Sequence, residues 1–333
     1  MEYEEFAPRR LPAPTLRARP DRLSTGPPGL VRRPWLQVLG GGLVLWIATT
    51  VVTTWTGNSN LLPTVILLGS FLVPVSFVVW AWEHRTQLLT TDLLFRCFVV
   101  GGVLGVLGAA TLESYLLRPG WFVFLGVGFI EEFVKLAALM WCTRKLRTRT
   151  VRDGAILGAT VGFGFAAFES AGYAFNAFFS SPGLSLQRLV ETEVLRSVLT
   201  PFGHGLWTGI VGAVLFAAAP RGRVRITGRV LLGYVAVSLL HGLWDSMNGI
   251  AIVLTVLLTG QPWQIVTLES GRVPQITPEQ ANVFTMLSDG GLALVSLLGV
   301  LVLSYVLRSD RLHPPDALTP RAVRRAGGYP AGV

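Results

Sequence analysis

The chain has 333 residues, of which 51% are hydrophobic and 14% charged, with a mean hydropathy of +0.55. That is too apolar and too poor in charge for an ordinary soluble domain, and it reads as a polytopic membrane protein. The net charge of +9 does not point to a nucleic-acid partner, because the basic residues sit in short segments between apolar spans and not on one basic face.

Residues 1–34 read as a disordered basic tail. They are rich in Arg and Pro and lack the apolar core of a cleavable signal. Eight apolar spans of about 20 residues come next, as a bilayer requires. They lie near 36–55, 62–82, 93–113, 121–142, 154–179, 199–219, 230–258 and 285–307. The expected fold is all-α, a bundle of about eight transmembrane helices over residues 35–308. The seventh span is long enough to tilt, or to kink at Asn248-Gly249. Gly101 and Gly105 in the third span, and Gly154, Gly158 and Gly162 in the fifth, have the spacing of close helix contacts. Cys97 and Cys142 lie at or within apolar spans and read as small hydrophobes, not as a disulfide. Residues 309–333 form a second basic tail. Of the 28 lysines and arginines, 23 fall in the tails and alternate loops on one side, and only Arg118, Arg188, Arg196 and Arg272 fall on the other. The positive-inside rule then puts both termini in the cytoplasm.

The fourth span, WFVFLGVGFIEEFVKLAALMWC, carries Glu131, Glu132 and Lys135 near its middle. A charge at that depth costs roughly 2.5–3.5 kcal/mol on insertion scales. The helical period lets Lys135 reach both carboxylates, at i−4 and i−3. Three other spans hold polar groups that lipid does not tolerate. The fifth has Glu169. The sixth has Thr200, His204 and Thr208 on one stripe, with Arg196 two turns before His204. The seventh has Ser238, His241, Asp245 and Asn248 on one face. Counted along the spans, these groups fall at similar depth, so they can converge in one pocket in the outer half of the membrane. Glu113 and Asp289, near outer helix ends, read as solvated. Arg196 reads either as an interfacial arginine or as a substrate-binding group.

Glu131-Glu132-Phe-Val-Lys135 has the form EExxK, Phe165-Ala-Ala-Phe-Glu169 the form FxxxE, and His241-Gly-Leu-Trp-Asp245 the form HxxxD. A histidine block from Arg196 to His204 lies between the last two. In this order, on successive membrane helices, the chain resembles the PrsW-type intramembrane proteases, distant relatives of the type II CAAX prenyl endopeptidases, over roughly residues 35–310. Those relatives carry a histidine where this chain has Glu169, which argues against prenyl-protein processing. The resemblance implies peptide-bond hydrolysis in or beside a bacterial cell membrane, with substrates such as single-pass anti-sigma factors cut on the extracytoplasmic side.

Hydrolysis needs an activated water and donors for the oxyanion. Two adjacent carboxylates in low dielectric do not both ionise easily, so the cluster should titrate as a unit. Glu131 or Glu132 would be the general base, with Lys135 balancing charge. His204 and His241 would position water and stabilise the oxyanion. Asp245 would orient that network, and Glu169 would serve as an acid or a ligand. A metal version is equally open: His204, His241 and Glu169 or Asp245 would hold Zn²⁺ with one position left for water. Against these stand blander readings, in which the Glu131/Glu132/Lys135 cluster is a structural ion pair and each histidine only packs. The rival functions are a proton-coupled transporter, whose polar groups would step across the bilayer, and a non-catalytic membrane sensor. The expected partners are a membrane-protein substrate and the lipid bilayer; the sequence gives no oligomeric state.

Overall fold

The computed structural model describes residues 33–86, 89–179, 184–219 and 224–312. The two basic tails lie outside these residues, apart from their inner ends. Eleven α-helices are described: α1 (Pro34–Thr56), α2 (Leu62–Glu83), α3 (Thr91–Val99), α4 (Gly105–Leu116), α5 (Val123–Thr143), α6 (Val151–Phe179), α7 (Leu186–Leu199), α8 (His204–Ala218), α9 (Gly228–Thr259), α10 (Pro262–Glu269) and α11 (Ala281–Leu312). No strand occurs among the described residues. Local chemistry sets many ends. Pro34 and Pro262 stand in first turns, where no backbone N–H is needed. Thr90 caps α3 by accepting from Leu93 N, and Ser185 caps α7 by accepting from Arg188 N.

Seven helical stretches are long and apolar enough to cross a membrane: α1, α2, α3 with α4, α6, α7 with α8, α9, and α11 with the turn before it. The fold is a polytopic helical bundle. The remaining long helix is α5, 21 residues, which carries Glu131, Glu132 and Lys135 at its centre.

Helix α6 is the hub. Its glycines at 154, 158 and 162 lie directly against the backbone of α8, where a Cβ would overlap the carbonyls of Gly212, Thr208 and His204. Only a bare backbone lets the two helices come this close, as the small-residue spacing predicts. A similar contact joins α5 to α9: a Cβ on Gly128 would fall 2.5 Å from Ser238 O, and one on Gly242 would fall 2.9 Å from Leu125 Cα. These two contacts bring α5, α6, α8 and α9 together around one buried volume. Leu136, Leu139, Leu157, Trp207, Ile210, Phe216 and Val237 fill the part of it toward the C-terminal end of α5. Helices α1 and α2 form an outer pair and make a separate small core with α6 and α7, built from Val65, Ile66, Ala174, Phe178 and Leu189.

Two local features depart from the sequence reading. The third span contains a π turn at Val100–Leu104, where Gly101 and Gly102 press on Val161 and Phe168 of α6. The sixth span is not one helix. Helix α7 ends at Leu199, a 3₁₀ turn runs Thr200–Phe202, and α8 starts at His204. The seventh span is one helix, α9, which runs over 32 residues through Asn248-Gly249. Cys97 and Cys142 are free and buried, as expected.

Candidate catalytic site between helices α5, α6, α8 and α9

Lys135 is the centre of a network. It is fully buried, and its Nζ donates to Glu131 Oε2 at 3.0 Å and Glu132 Oε1 at 2.9 Å. It also lies 2.8 Å from His204 Nδ1 and 4.1 Å from the centroid of the Phe165 ring. The helical spacing thus does what the sequence suggested: one ammonium holds both carboxylates. The 100° between consecutive helix positions separates their duties. Glu132 is fully buried and points into protein, where His241 Nδ1 donates to its Oε1 at 3.0 Å and Thr208 to its Oε2 at 3.3 Å. Glu131 turns toward an open cavity.

The histidines reach this network from two helices. An ammonium can only donate, so His204 Nδ1 accepts from Lys135 in the neutral ring, which leaves Nε2–H to donate to Glu169 at 2.9 Å. Carboxylate Glu132 can only accept, so His241 carries its proton on Nδ1 and leaves Nε2 bare in the neutral ring. That Nε2 lies 3.7 Å from Glu131 Oε2 and 3.4 Å from Asp245 Oδ2. The two imidazoles stand edge to face with centroids 5.0 Å apart.

Glu169 is also held by Arg196, whose Nη2 pairs with its Oε2, whose Nε donates to Ser170 Oγ at 2.8 Å, and whose guanidinium packs on the Tyr173 ring. Arg196 therefore braces Glu169, Ser170 and Tyr173 beside the cavity. The cavity measures about 620 Å³ and is lined by Glu113, Glu131, Phe165, Glu169, Tyr173 and Asp245, among others. Glu113 corrects the sequence reading. It is half-buried on α4, faces the same cavity, and its Oε1 is occluded with no hydrogen-bond partner among the described residues. The signal for it was faint: a single acid near a helix end. Of the four polar residues on the α9 face, only His241 and Asp245 belong here. Asn248 accepts from Ser288 of α11 instead.

Three possible ligand atoms converge, and two of them, Glu131 Oε2 and His204 Nδ1, are held by the Lys135 ammonium. Glu131, His204 and His241 each offer an atom within 4.8 Å of the other two. Glu131 Oε2 is 3.6 Å from His204 Nδ1 and 3.7 Å from His241 Nε2. A tetrahedral zinc ion with ligand bonds near 2.0–2.1 Å sets its donors about 3.3 Å apart, so two imidazoles and this carboxylate suit such an ion in kind, with Lys135 moved off Glu131 and His204 to admit it. The carboxylate that completes the set is Glu131; Glu169 and Asp245 each meet one imidazole from the cavity side. Glu132 on His241, and Glu169 on His204, are the outer carboxylates that fix which ring nitrogen carries the proton.

A model of the PrsW family of intramembrane metalloproteases matches residues 90–268, more than half of the chain. The chain belongs to the PrsW family. A search of curated proteins and one of solved structures found no match. The matched region runs from the cap of α3 to the last turn of α10 and contains all the site residues described above. Membership in the PrsW family makes this chain an integral membrane protease. Its substrate is a membrane protein, and hydrolysis is its reaction.

Proposed function

We propose that this protease cuts single-pass membrane proteins, of the anti-sigma-factor kind, on the extracytoplasmic side of a bacterial cell membrane, at the centre formed by Glu131, His204 and His241. The observation that carries the reading is the convergence of Glu131, His204 and His241, with Glu131 on the wall of the 620 Å³ cavity. The cavity is walled by α4, the second half of α6 and the first half of α5, with Asp245 of α9. Arg144, Lys145, Arg147, Arg149, Arg152, Arg225 and Arg229 lie at the opposite helix ends. The positive-inside rule therefore supports a cavity that faces away from the cytoplasm.

Glu131, His204 and His241 would hold the ion, and an ion bound there supplies an acidified water and a charge for the oxyanion. The chain's own groups do the rest. Glu132 holds His241 by its Nδ1–H, so the bare Nε2 stays aimed at the centre. Lys135 offsets the two carboxylates and anchors both to α5. Asp245 Oδ2, on the cavity wall and 3.4 Å from His241 Nε2, takes up the proton of the attacking water and returns it to the leaving amine. Arg196 fixes Glu169, and Glu169 fixes His204. Phe165 closes the network from the side, stacked on the ammonium.

Co-expression with a tagged single-pass substrate tests this. Wild type should release the extracytoplasmic fragment, while Glu131→Gln and His241→Ala release none at equal expression. Cleavage by both variants at the wild-type level would defeat the reading, and proton-coupled flux in liposomes without cleavage would favour a transporter. Cysteines placed at cavity positions should react with impermeant reagent added outside; reaction only from the cytoplasm would reverse the assigned side.

A further inference from the structure

Glu193 lies outside the catalytic network, yet it is a carboxyl at 1% exposure inside the helix bundle. Its partners are neutral donors: Trp46 Nε1 on α1 donates to Oε2 at 2.8 Å, and Ser70 Oγ on α2 donates to Oε1 at 3.4 Å. Gly69 leaves the space it fills, since a Cβ there would overlap the carboxyl group. One turn later, Ser197 Oγ donates to the Gly69 carbonyl at 3.3 Å. A buried acid is costly, and an apolar side chain in its place would avoid that expense. What the carboxyl adds is direction, because two hydrogen bonds fix the rotation and register of α7 in a way that a greasy contact does not.

The rotation of α7 in turn sets the place of Arg196. This residue, three positions after Glu193 and so about 60° from it around α7, grips Glu169 and Ser170 of α6. Thr200 Oγ1 then closes on Arg196 O at 2.6 Å, and His204 begins α8 four residues later. Turning α7 by about 20° would move a side-chain tip by roughly 2 Å, from an outer helix radius of 5–6 Å. That is enough to part Arg196 from Glu169.

We propose that Glu193 is a positioning residue: through Trp46, Ser70 and Glu193, the outer helix pair α1–α2 sets the rotation of α7 and so the seat of Arg196 on Glu169, which lines the cavity. The claim rests on the protease reading for its kinetic consequence, but not for its structural one. It also brings α1 and α2, which precede the family-matched residues, into the working of the site.

The test uses the full-length protein in liposomes with a cleaved substrate. Trp46→Phe and Glu193→Ala should lower kcat about tenfold, the worth of one buried hydrogen bond to a carboxyl, with KM changed less than about twofold. Glu193→Gln keeps the acceptor for Trp46 and should stay within about twofold of wild type. In an Arg196→Gln background, Trp46→Phe should add no more than about twofold, because the two act in series. Gly69→Ala, which displaces the carboxyl without deleting it, should behave like Glu193→Ala. Spin labels on exposed Val194 of α7 and Phe175 of α6 read the helix placement with no substrate present. Their distance distribution should shift or broaden in Trp46→Phe. An unchanged distribution, or full additivity with Arg196→Gln, overturns the proposal. Loss of cleavage by wild type itself would strike the protease reading and leave the spin-label result to decide this one.

Discussion

Removing Lys135 probes the whole network at one atom. In Lys135→Met a side chain of similar length loses the ammonium that holds Glu131 at 3.0 Å and Glu132 at 2.9 Å. Breaking a buried pair from one side costs about 3–5 kcal/mol, because the remaining charge is left without compensation. The lost stacking on Phe165, at 4.1 Å, adds about 1 kcal/mol. The expected loss is therefore about 4–6 kcal/mol, or a fall of roughly 10 °C in the unfolding midpoint at about 2 °C per kcal/mol for a chain of this size. Thermal unfolding of the purified protein in detergent reads it. Removing the acids as well, in Glu131→Gln/Glu132→Gln/Lys135→Met, should recover most of the loss while cleavage stays absent. Zinc should raise the midpoint of Lys135→Met more than that of wild type, because the ammonium and the ion compete for Glu131 Oε2 and His204 Nδ1. A midpoint for Lys135→Met within about 2 °C of wild type, or a triple variant no more stable than the single one, would refute the idea that this lysine compensates the two acids.

Chelation of the purified protease should abolish cleavage, and zinc should restore it; metal-free protein with undiminished turnover would remove the ion from the mechanism. Gly162→Ala places a methyl on the carbonyl of His204, a backbone atom that cannot swing aside, so it should cost about 1–3 kcal/mol and lower activity more than Gly172→Ala, where nothing lies within 4 Å. Arg196→Lys keeps the charge but loses the fork that spans Glu169 and Ser170, and kcat should fall while the unfolding midpoint barely moves. Asn248→Ala breaks only the bond from Ser288 and should cost about 1 kcal/mol with cleavage unaffected.

The helical bundle and the site were legible for a single reason: ionisable residues inside apolar spans are rare enough to mark a centre. Glu131, Glu132, Lys135, Glu169, His204, His241 and Asp245 do meet. The 3.6-residue period also gave the Lys135 pairings and the bare-glycine face of α6. It could not rank Glu131 against Glu132, because that choice depends on which side of α5 meets α9. The crossing at Gly128 and Gly242 decides it. Counting turns through Thr200-Pro201-Phe202-Gly203 as one helix was the clearest error. Proline and glycine there stop α7 and restart the chain as α8, so Arg196 and His204 reach Glu169 from two helices and not along one stripe. Glu113 was missed because depth near a helix end says nothing about which neighbour covers it. Asn248 shares a face with His241 in projection, but α11 packs over that end of α9 and takes it.

The most direct measurement is cleavage by purified protein in proteoliposomes, with the scissile bond mapped by mass spectrometry. Two fragments are expected from a single-pass substrate, cut toward the extracytoplasmic end of its span, and no fragments from Glu131→Gln that unfolds at the wild-type midpoint or above. The same fragments at the same rate from Glu131→Gln would contradict a reaction centre built on Glu131.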